Sequence, residues 1–207
     1  VLYLFNSKDW DQKAKMKLYR FRIYEKDELI HDFRPCSKEG EYGFKDDVTG
    51  EFRYTRYKSG STTPLVPGGD MPEAEDDAYL ESAGNGVYIN SGYKAKGCTR
   101  IEFDYQLKEA ATSSDQYLFG CNEQNVGLVF GAYVQASGYI GINCQQNTGN
   151  WQGLGSAFFS TTKRRTLVID GYNKKIIGIE QGRTNVNTSI VGTYAPEYSP
   201  DPAVPEE

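Results

Sequence analysis

Several residue types that build catalytic or metal sites are scarce in this sequence of 207 residues. It contains one histidine, four cysteines, two methionines and two tryptophans. No cysteines stand in the C-x2-C spacing of a zinc site, and no paired-histidine motif, Gly-rich phosphate loop or Gly-x-Ser-x-Gly element occurs. The sequence signatures of zinc domains, P-loop proteins and α/β-hydrolases are therefore absent.

Concentrated positive charge and long apolar runs are also lacking. The formal net charge is -5, and the one dense basic cluster is Lys163-Arg164-Arg165. Nucleic-acid binding needs a concentrated cationic face, and a membrane-spanning helix needs about 18 consecutive apolar residues. We expect neither a nucleic-acid partner nor a membrane span.

Aromatic residues and glycine are abundant, with 16 Tyr, 10 Phe and 22 Gly, as is typical of twisted sheets joined by tight turns. Residues 15–24 place Met16, Leu18, Tyr19, Phe21 and Ile23 against charged residues in nearly strict alternation, which predicts a strand with one solvent-facing side. A charged turn and a second apolar run follow, so we expect a hairpin. The pattern indicates an all-β protein.

The chain divides into four segments by composition. Residues 1–57 contain the first strand-like runs, and residues 58–77 are rich in Pro, Gly and acidic residues, which predicts a linker. Residues 78–192 contain ten strand-like runs spaced about 8 to 12 residues apart, a spacing typical of a sandwich or barrel. Residues 193–207 form a Pro-rich extended tail.

Two stretches resemble a known family. AYLESAGNGVYINSGYKAKGCTRIEFDYQL, QYLFGC and RTLVIDGYNKK, between residues 78 and 175, resemble the opening and middle of concanavalin A-like (laminin G-like) jelly-roll modules of secreted bacterial proteins. KLYRFRIYEKDELIHDFRPCSKEGEYGFKDDVTGEF resembles the closing strands of the same module, yet here it comes first. The resemblance implies a jelly-roll β-sandwich of two antiparallel sheets, permuted or strand-exchanged.

This inverted order favours an architectural function. The chain would be a circular permutation, one period of a tandem array, or a subunit that completes its neighbour's sheet. We expect a non-catalytic extracellular or cell-surface module, a repeat or subunit of a fibre-like assembly whose partners are copies of itself or neighbouring repeats joined by strand exchange. The expected assembly strands contain Val1, Leu2, Tyr3, Leu4, Phe5, Leu18, Phe21 and Ile23.

A lectin-like carbohydrate-binding module is the alternative. An exposed aromatic ring beside amides suits a sugar, and the loop with Asn147, Asn150, Trp151 and Gln152 is the candidate site, although Trp151 capping the core is the competing interpretation. Glycoside hydrolases of the related fold carry Glu-x-Asp-x-Glu on one strand. Here the third position is Gln106, so we expect no catalysis and place Glu102 and Asp104 on the solvent face.

Three smaller features complete the candidates. The single histidine, His31, adjoins Asp32 without a nucleophile nearby in sequence, which indicates a packed or surface imidazole. We expect no cofactor; calcium is left open by Asp46-Asp47 and Asp76-Asp77, which compete with the simpler interpretation of solvated turn charges. The cysteines are expected to be small strand residues, with one disulfide, Cys121 to Cys144, left open.

Overall fold

The computed structural model describes most of the chain between residues 2 and 187. The described residues are 2–5, 14–57, 64–68, 78–82, 86–96, 98–109, 116–123, 128–134, 140–146, 152–154, 163–173, 175–180 and 183–187. Within these ranges the protein is all-β and contains no helix. No helix long and apolar enough to cross a membrane is therefore found in the described part of the chain.

Sixteen strands form in the described residues. They are β1 (Tyr3–Leu4), β2 (Met16–Glu25), β3 (Glu28–Lys38), β4 (Glu41–Asp46), β5 (Phe52–Tyr57), β6 (Val66–Gly68), β7 (Tyr79–Ser82), β8 (Val87–Asn90), β9 (Thr99–Leu107), β10 (Gln116–Glu123), β11 (Leu128–Val134), β12 (Ile140–Gln146), β13 (Gln152–Leu154), β14 (Arg165–Asp170), β15 (Lys175–Glu180) and β16 (Arg183–Asn187). The predicted hairpin β2–β3 is confirmed, and β4–β5 and β14–β15 form two further hairpins.

The strands form one antiparallel sheet that curls so that its inner faces meet. Its order is β13-β12-β11-β10-β1-β8-β5-β4-β3-β2-β9-β14-β15-β16, with β7 beside β2 and β6 beside β7. Phe21 of β2 and Phe103 of β9 each lie 5.2 Å, between ring centroids, from Phe119 of β10. These edge and tilted ring contacts between distant strands mark the centre of the core.

The first strand completes the sheet of its own chain. β1 lies between β8 and β10, with Tyr3 opposite Asn90 on one side and Gly120 on the other. Leu2, Leu4 and Phe5 are fully buried. The remaining assembly-strand residues predicted for β2, namely Leu18, Phe21 and Ile23, are also fully buried. Val1 lies outside the described residues.

Phe5, which follows β1, and Ala14, which precedes β2, bond to adjacent residues of β10. The Phe5 amide donates to the Leu118 carbonyl at 3.0 Å, and the Ala14 amide donates to the adjacent Tyr117 carbonyl at 3.1 Å. The chain therefore returns at Ala14 to the place on β10 that it left at Phe5, and from there β2 crosses to pair with β9.

A bulge in β2 corrects one detail of the predicted alternation. The pairing with β9 shifts between Leu18, opposite Tyr105, and Arg20, opposite Asp104, so Tyr19 is the extra residue. Met16, Leu18, Phe21 and Ile23 are buried as predicted, but Tyr19 belongs with the outer face rather than with the core. A bulge produces this change because one additional residue shifts the period-two phase by one.

The predicted linker also contributes to the sheet. Within residues 58–77, the described Val66–Gly68 form β6 and pair with β7, and Leu65 is buried. A stretch predicted as a linker thus contributes a short strand and one buried side chain to the fold. Strands from before and after the linker are neighbours in the sheet. For example, β2 lies between β3, which precedes the linker, and β9, which follows it.

The backbone register excludes the disulfide left open by the sequence. Cys121 of β10 and Cys144 of β12 are both paired with Phe130, which lies on β11 between them. Two strand spacings separate their Cα atoms by roughly 9 to 10 Å, whereas a disulfide requires less than about 7 Å. Cys36 and Cys98 are free and half-buried.

Candidate functional site

A cleft of about 290 Å³ opens on the outer face of the sheet, across β3, β2, β9 and the start of β14. Its lining residues are Tyr19, Arg20, Arg22, Arg34, Glu102, Asp104, Arg164 and Thr166. We call this feature the outer-face cleft. It combines one aromatic ring with a dense set of charged groups.

Strand alternation aims the acidic residues of the cleft outward. In β9, Ile101, Phe103 and Tyr105 are buried, whereas Glu102 and Asp104 are only partly so and face the cleft. The predicted outward orientation of both carboxylates is confirmed. Because successive residues of a strand point to opposite faces, the buried aromatic core beneath fixes the direction of these side chains.

The register of β2 against its two neighbouring strands places an arginine opposite a carboxylate on each side. Arg22 of β2 is directly opposite Asp32 of β3 and Glu102 of β9. Its Nη1 donates to Glu102 Oε2 at 2.9 Å, and its Nε lies 3.6 Å from Asp32 Oδ1. Arg20 reaches Asp32 with two hydrogen bonds, of which Nε to Oδ1 is 2.7 Å long.

A second bidentate ion pair between an arginine and a carboxylate lies on the β14 side of the cleft. Arg164 Nε donates to Asp104 Oδ1 at 3.0 Å, and Nη2 donates to Oδ2 at 2.6 Å. The neighbouring Arg165 is buried instead and forms an ion pair with Glu180. Alternation along the chain thus sends one arginine into the cleft and the next into the core.

The β2 bulge places the aromatic ring of the cleft. The Tyr19 hydroxyl donates to Gln106 Oε1 at 3.0 Å, and the Arg164 guanidinium lies 3.9 Å from the Tyr19 ring centroid. The Tyr79 ring packs edge-on against it at 5.3 Å. Burial raises the pKa of Tyr19, so the hydroxyl stays protonated at neutral pH and remains a donor.

The carboxylates of the cleft are held by these internal contacts. Glu102 accepts hydrogen bonds from Arg22, Tyr24 and Arg100, and Asp104 accepts them from Arg164. Glycoside hydrolysis requires one carboxyl group to act as an acid and a second as base or nucleophile. In this cleft both carboxylates accept hydrogen bonds from arginines, and an amide, Gln106, stands where such a strand would carry its second catalytic carboxylate.

Most of the sugar-binding loop predicted from the sequence lies outside the described residues. Asn147, Asn150 and Trp151 lie outside the described residues, and Gln152 begins β13, where it pairs with Ile142. β13 ends the sheet path and none of its residues lines the outer-face cleft. The signal that points to the cleft instead is the Tyr19-Arg20-x-Arg22 pattern of β2, which concentrates an aromatic ring and two guanidinium groups on one strand.

His31 has a partner different from its sequence neighbour. Its Nδ1 lies 2.7 Å from Oδ2 of Asp46, on the adjacent strand β4, and its ring stacks on Phe33 at 5.3 Å. Thr49 donates to the same Asp46 oxygen at 2.8 Å. The imidazole is half-buried in a structural network, as the sequence led us to expect.

The same network leaves Asp46 unsuited to calcium. Its Oδ1 accepts hydrogen bonds from the amides of Asp32 and Val48, while Oδ2 contacts His31 and Thr49. Among the residues that the structure describes, no group of three or more His, Cys, Asp or Glu side chains could hold a metal ion. The second candidate, Asp76-Asp77, lies outside the described residues.

Asp46 should make stability depend on pH. Burial alone would raise the pKa of this carboxyl, but the hydrogen bonds from His31, Asp32, Thr49 and Val48 outweigh that effect and lower it. A carboxyl whose pKa is lower in the folded state stabilises the fold fully above its unfolded pKa, near 4, and loses this contribution as pH falls through the folded pKa.

We therefore expect the free energy of unfolding to fall below about pH 4 by more in the native chain than in Asp46→Asn. Urea unfolding between pH 2.5 and pH 6 measures both profiles. Asp27→Asn, which removes an exposed carboxylate in the β2–β3 turn, is the matched control and should leave the native profile in place. Parallel profiles for the native chain and Asp46→Asn would contradict the assignment.

Comparison with known proteins adds no relative from which a function could be transferred. No family model, no curated protein and no solved structure matches this chain.

Proposed function

We propose that this protein is a non-catalytic module that binds carbohydrate in the outer-face cleft. The observation that carries the proposal is the position of Tyr19, whose ring lies in a cleft lined by hydrogen-bonding side chains. Sugars present both apolar CH groups and hydroxyls, and binding sites for small molecules pair apolar surface with a few well-placed polar groups.

Pre-organisation supports the same function. Arg20, Arg22 and Arg164 are each held by a carboxylate through a hydrogen bond of 2.6 to 2.9 Å, so these polar groups of the cleft are oriented before a ligand arrives. Binding then costs little side-chain ordering, which otherwise amounts to about 0.5–1.5 kcal/mol for each flexible side chain. The absence of catalysis belongs to the proposal, on the ground that Glu102 and Asp104 are engaged by arginines.

The finer fold assignment is part of this proposal. We assign the curled antiparallel sheet to a concanavalin A-like jelly roll in which the closing strands precede the opening ones. The resemblance of residues 17–52 and 78–175 supports this assignment, and so does the pairing of β2 with β9, which joins the two stretches. An extracellular or cell-surface location follows from the same resemblance.

The Tyr19 ring provides the test. Tyr19→Ala should weaken the binding of an oligosaccharide by at least about tenfold, since a central aromatic contact contributes more than about 1 kcal/mol. Screening against defined soluble oligosaccharides identifies the ligand, and calorimetric titration then compares the variants. Tyr19→Phe keeps the ring and removes only the hydrogen bond to Gln106, so it should lose less.

Tyr57→Ala is the matched control, because Tyr57 is an exposed tyrosine on β5 that does not line the cleft. Its dissociation constant should stay within about twofold of the native value. Equal losses for Tyr19→Ala and Tyr57→Ala would contradict the proposal, as would failure of every oligosaccharide to bind.

Assembly by strand exchange is the second candidate, and the position of β1 favours it. The two-residue strand β1 fills an interior position of the sheet, between β8 and β10. The same segment of a neighbouring copy would make identical contacts there, which is the condition for exchange between identical chains. Copies of this chain would then be its partners in a fibre-like, adhesive array.

A further inference from the structure

We propose that the ligand of the outer-face cleft is an acidic saccharide, whose sugar carboxylates are bound by Arg20 and Arg22 of β2 and by Arg164, which immediately precedes β14. This inference rests on the proposed carbohydrate-binding function and assigns the class of sugar. It is carried by the charges of the cleft and by the depth at which each charge lies.

The cleft has an excess of positive charge in a negative protein. Five arginines lie in it or beside it, together with the four carboxylates that pair with them: Arg20, Arg22, Arg34, Arg100 and Arg164, and Asp32, Asp47, Glu102 and Asp104. Their charges sum to +1, whereas the whole chain carries -5. Arginine keeps its charge at every pH of interest, so this excess is permanent.

In the ion pairs of Arg20, Arg22 and Arg164 the arginine is more exposed than its carboxylate, so a ligand meets the positive charge first. The Arg20 side chain is 24% exposed and its partner Asp32 is 7% exposed. For Arg164 and Asp104 the exposed fractions are 35% and 21%, and Arg22 is likewise more exposed than Glu102. The guanidinium groups therefore form the surface of the cleft, and the carboxylates lie beneath them.

This layering selects an anion rather than a neutral sugar. A guanidinium group matches the planar, two-oxygen geometry of a carboxylate, and the arginines are already oriented by the carboxylates below. Asp47 is the exception, since it is slightly more exposed than Arg34, and it bounds the positive surface on the β3 side. The excess of one charge suits a chain of spaced carboxylates better than the dense phosphates of a nucleic acid.

The Tyr19 ring beside the arginines is the reason to expect that the bound anion is part of a sugar. The Arg164 guanidinium lies 3.9 Å from the Tyr19 ring centroid while it donates hydrogen bonds to Asp104. A uronic acid combines a pyranose ring, which has apolar faces, with a carboxylate on the same ring. Tyr19 and Arg164 together therefore offer the two kinds of contact that such a residue needs.

Comparing oligogalacturonate with its fully methyl-esterified form of the same length measures what the sugar carboxylates contribute to binding. Calorimetric titration of the native chain should give at least tenfold tighter binding of the free acid than of the ester. Added salt should weaken binding of the acid and leave the ester unaffected. A heparin oligosaccharide of equal length tests sulfate as the source of negative charge.

Arg164→Gln should weaken binding of oligogalacturonate at least tenfold, and Arg164→Lys, which keeps the charge but not the planar geometry, should restore part of the loss. Arg56→Gln, which removes an exposed arginine from β5, is matched in charge and should change the affinity less than twofold. Thermal unfolding of each variant verifies that the fold is intact.

Equal affinity for acid and ester would overturn this inference and leave the carbohydrate-binding function standing. Failure of every oligosaccharide, charged or neutral, would overturn both. Binding of the heparin oligosaccharide without oligogalacturonate would overturn the assignment to carboxylates, and tighter binding of a single-stranded oligonucleotide would overturn the assignment to a saccharide.

Discussion

Replacing Phe21 with alanine is expected to lower the free energy of unfolding by about 3–5 kcal/mol. Phe21 is fully buried on β2, and its ring lies 5.6 Å from that of Phe103 and 5.2 Å from that of Phe119. The substitution removes the apolar surface of the ring and leaves a cavity at the place where β2 and β9 meet β10. The loss is a large fraction of the about 5–15 kcal/mol by which domains are stable.

Urea unfolding monitored by fluorescence and by circular dichroism measures this loss. Both probes should report one shared transition, since the Phe21, Phe103 and Phe119 cluster joins distant parts of the curled sheet. Tyr172→Ala, at the exposed turn after β14, is the control and should change stability by less than about 0.5 kcal/mol. A Phe21→Ala variant as stable as this control would show that the two inner faces do not share a core.

Local alternation was sufficient to predict most strands and their faces. In residues 101–107 every second residue is apolar, and the structure buries those positions and turns Glu102 and Asp104 outward. The prediction succeeds because the direction of a side chain in a strand follows from the backbone of that strand alone. The same rule gave the hairpin β2–β3, whose strands are separated by a two-residue turn.

Features that depend on pairing between distant strands were not predicted. Tyr19 was grouped with the core residues because its sequence neighbours do not indicate a bulge, which is defined only by the register of β2 against β9. Likewise, β6 has only three residues and contains a proline, so its pairing with β7 could not be inferred from propensity.

The candidate site was missed for the same reason. Arg22, Glu102 and Arg164 are far apart in sequence, and only the order β2-β9-β14 brings their side chains to one face. The sequence does contain the individual groups, including the pair Glu102 and Asp104 and the basic cluster at 163–165. It does not reveal the strand register, which places the carboxylates of β9 beside arginines from other parts of the chain.

Deletion of residues 1–13 is expected to remove most of the stability of the chain. Leu2, Leu4 and Phe5 are fully buried, and burial of each such side chain contributes about 1.5–3 kcal/mol. The backbone groups of β8 and β10 that pair with Tyr3 and Leu4 would also lose their partners. The truncated chain should therefore be largely unfolded or aggregated, which circular dichroism and light scattering would detect.

A synthetic peptide of residues 1–13 should restore the fold when added in trans, because β1 pairs with β8 and β10, both of which remain in the truncated chain. A scrambled peptide of the same composition is the control and should restore nothing.

If strand exchange joins copies of this chain, the intact protein should also form dimers or longer oligomers as its concentration rises, measured as mass by light scattering. A truncated chain that stays monomeric and as stable as the intact protein would contradict both the structural importance of β1 and its proposed exchange, since no vacancy would then exist for a neighbour to fill.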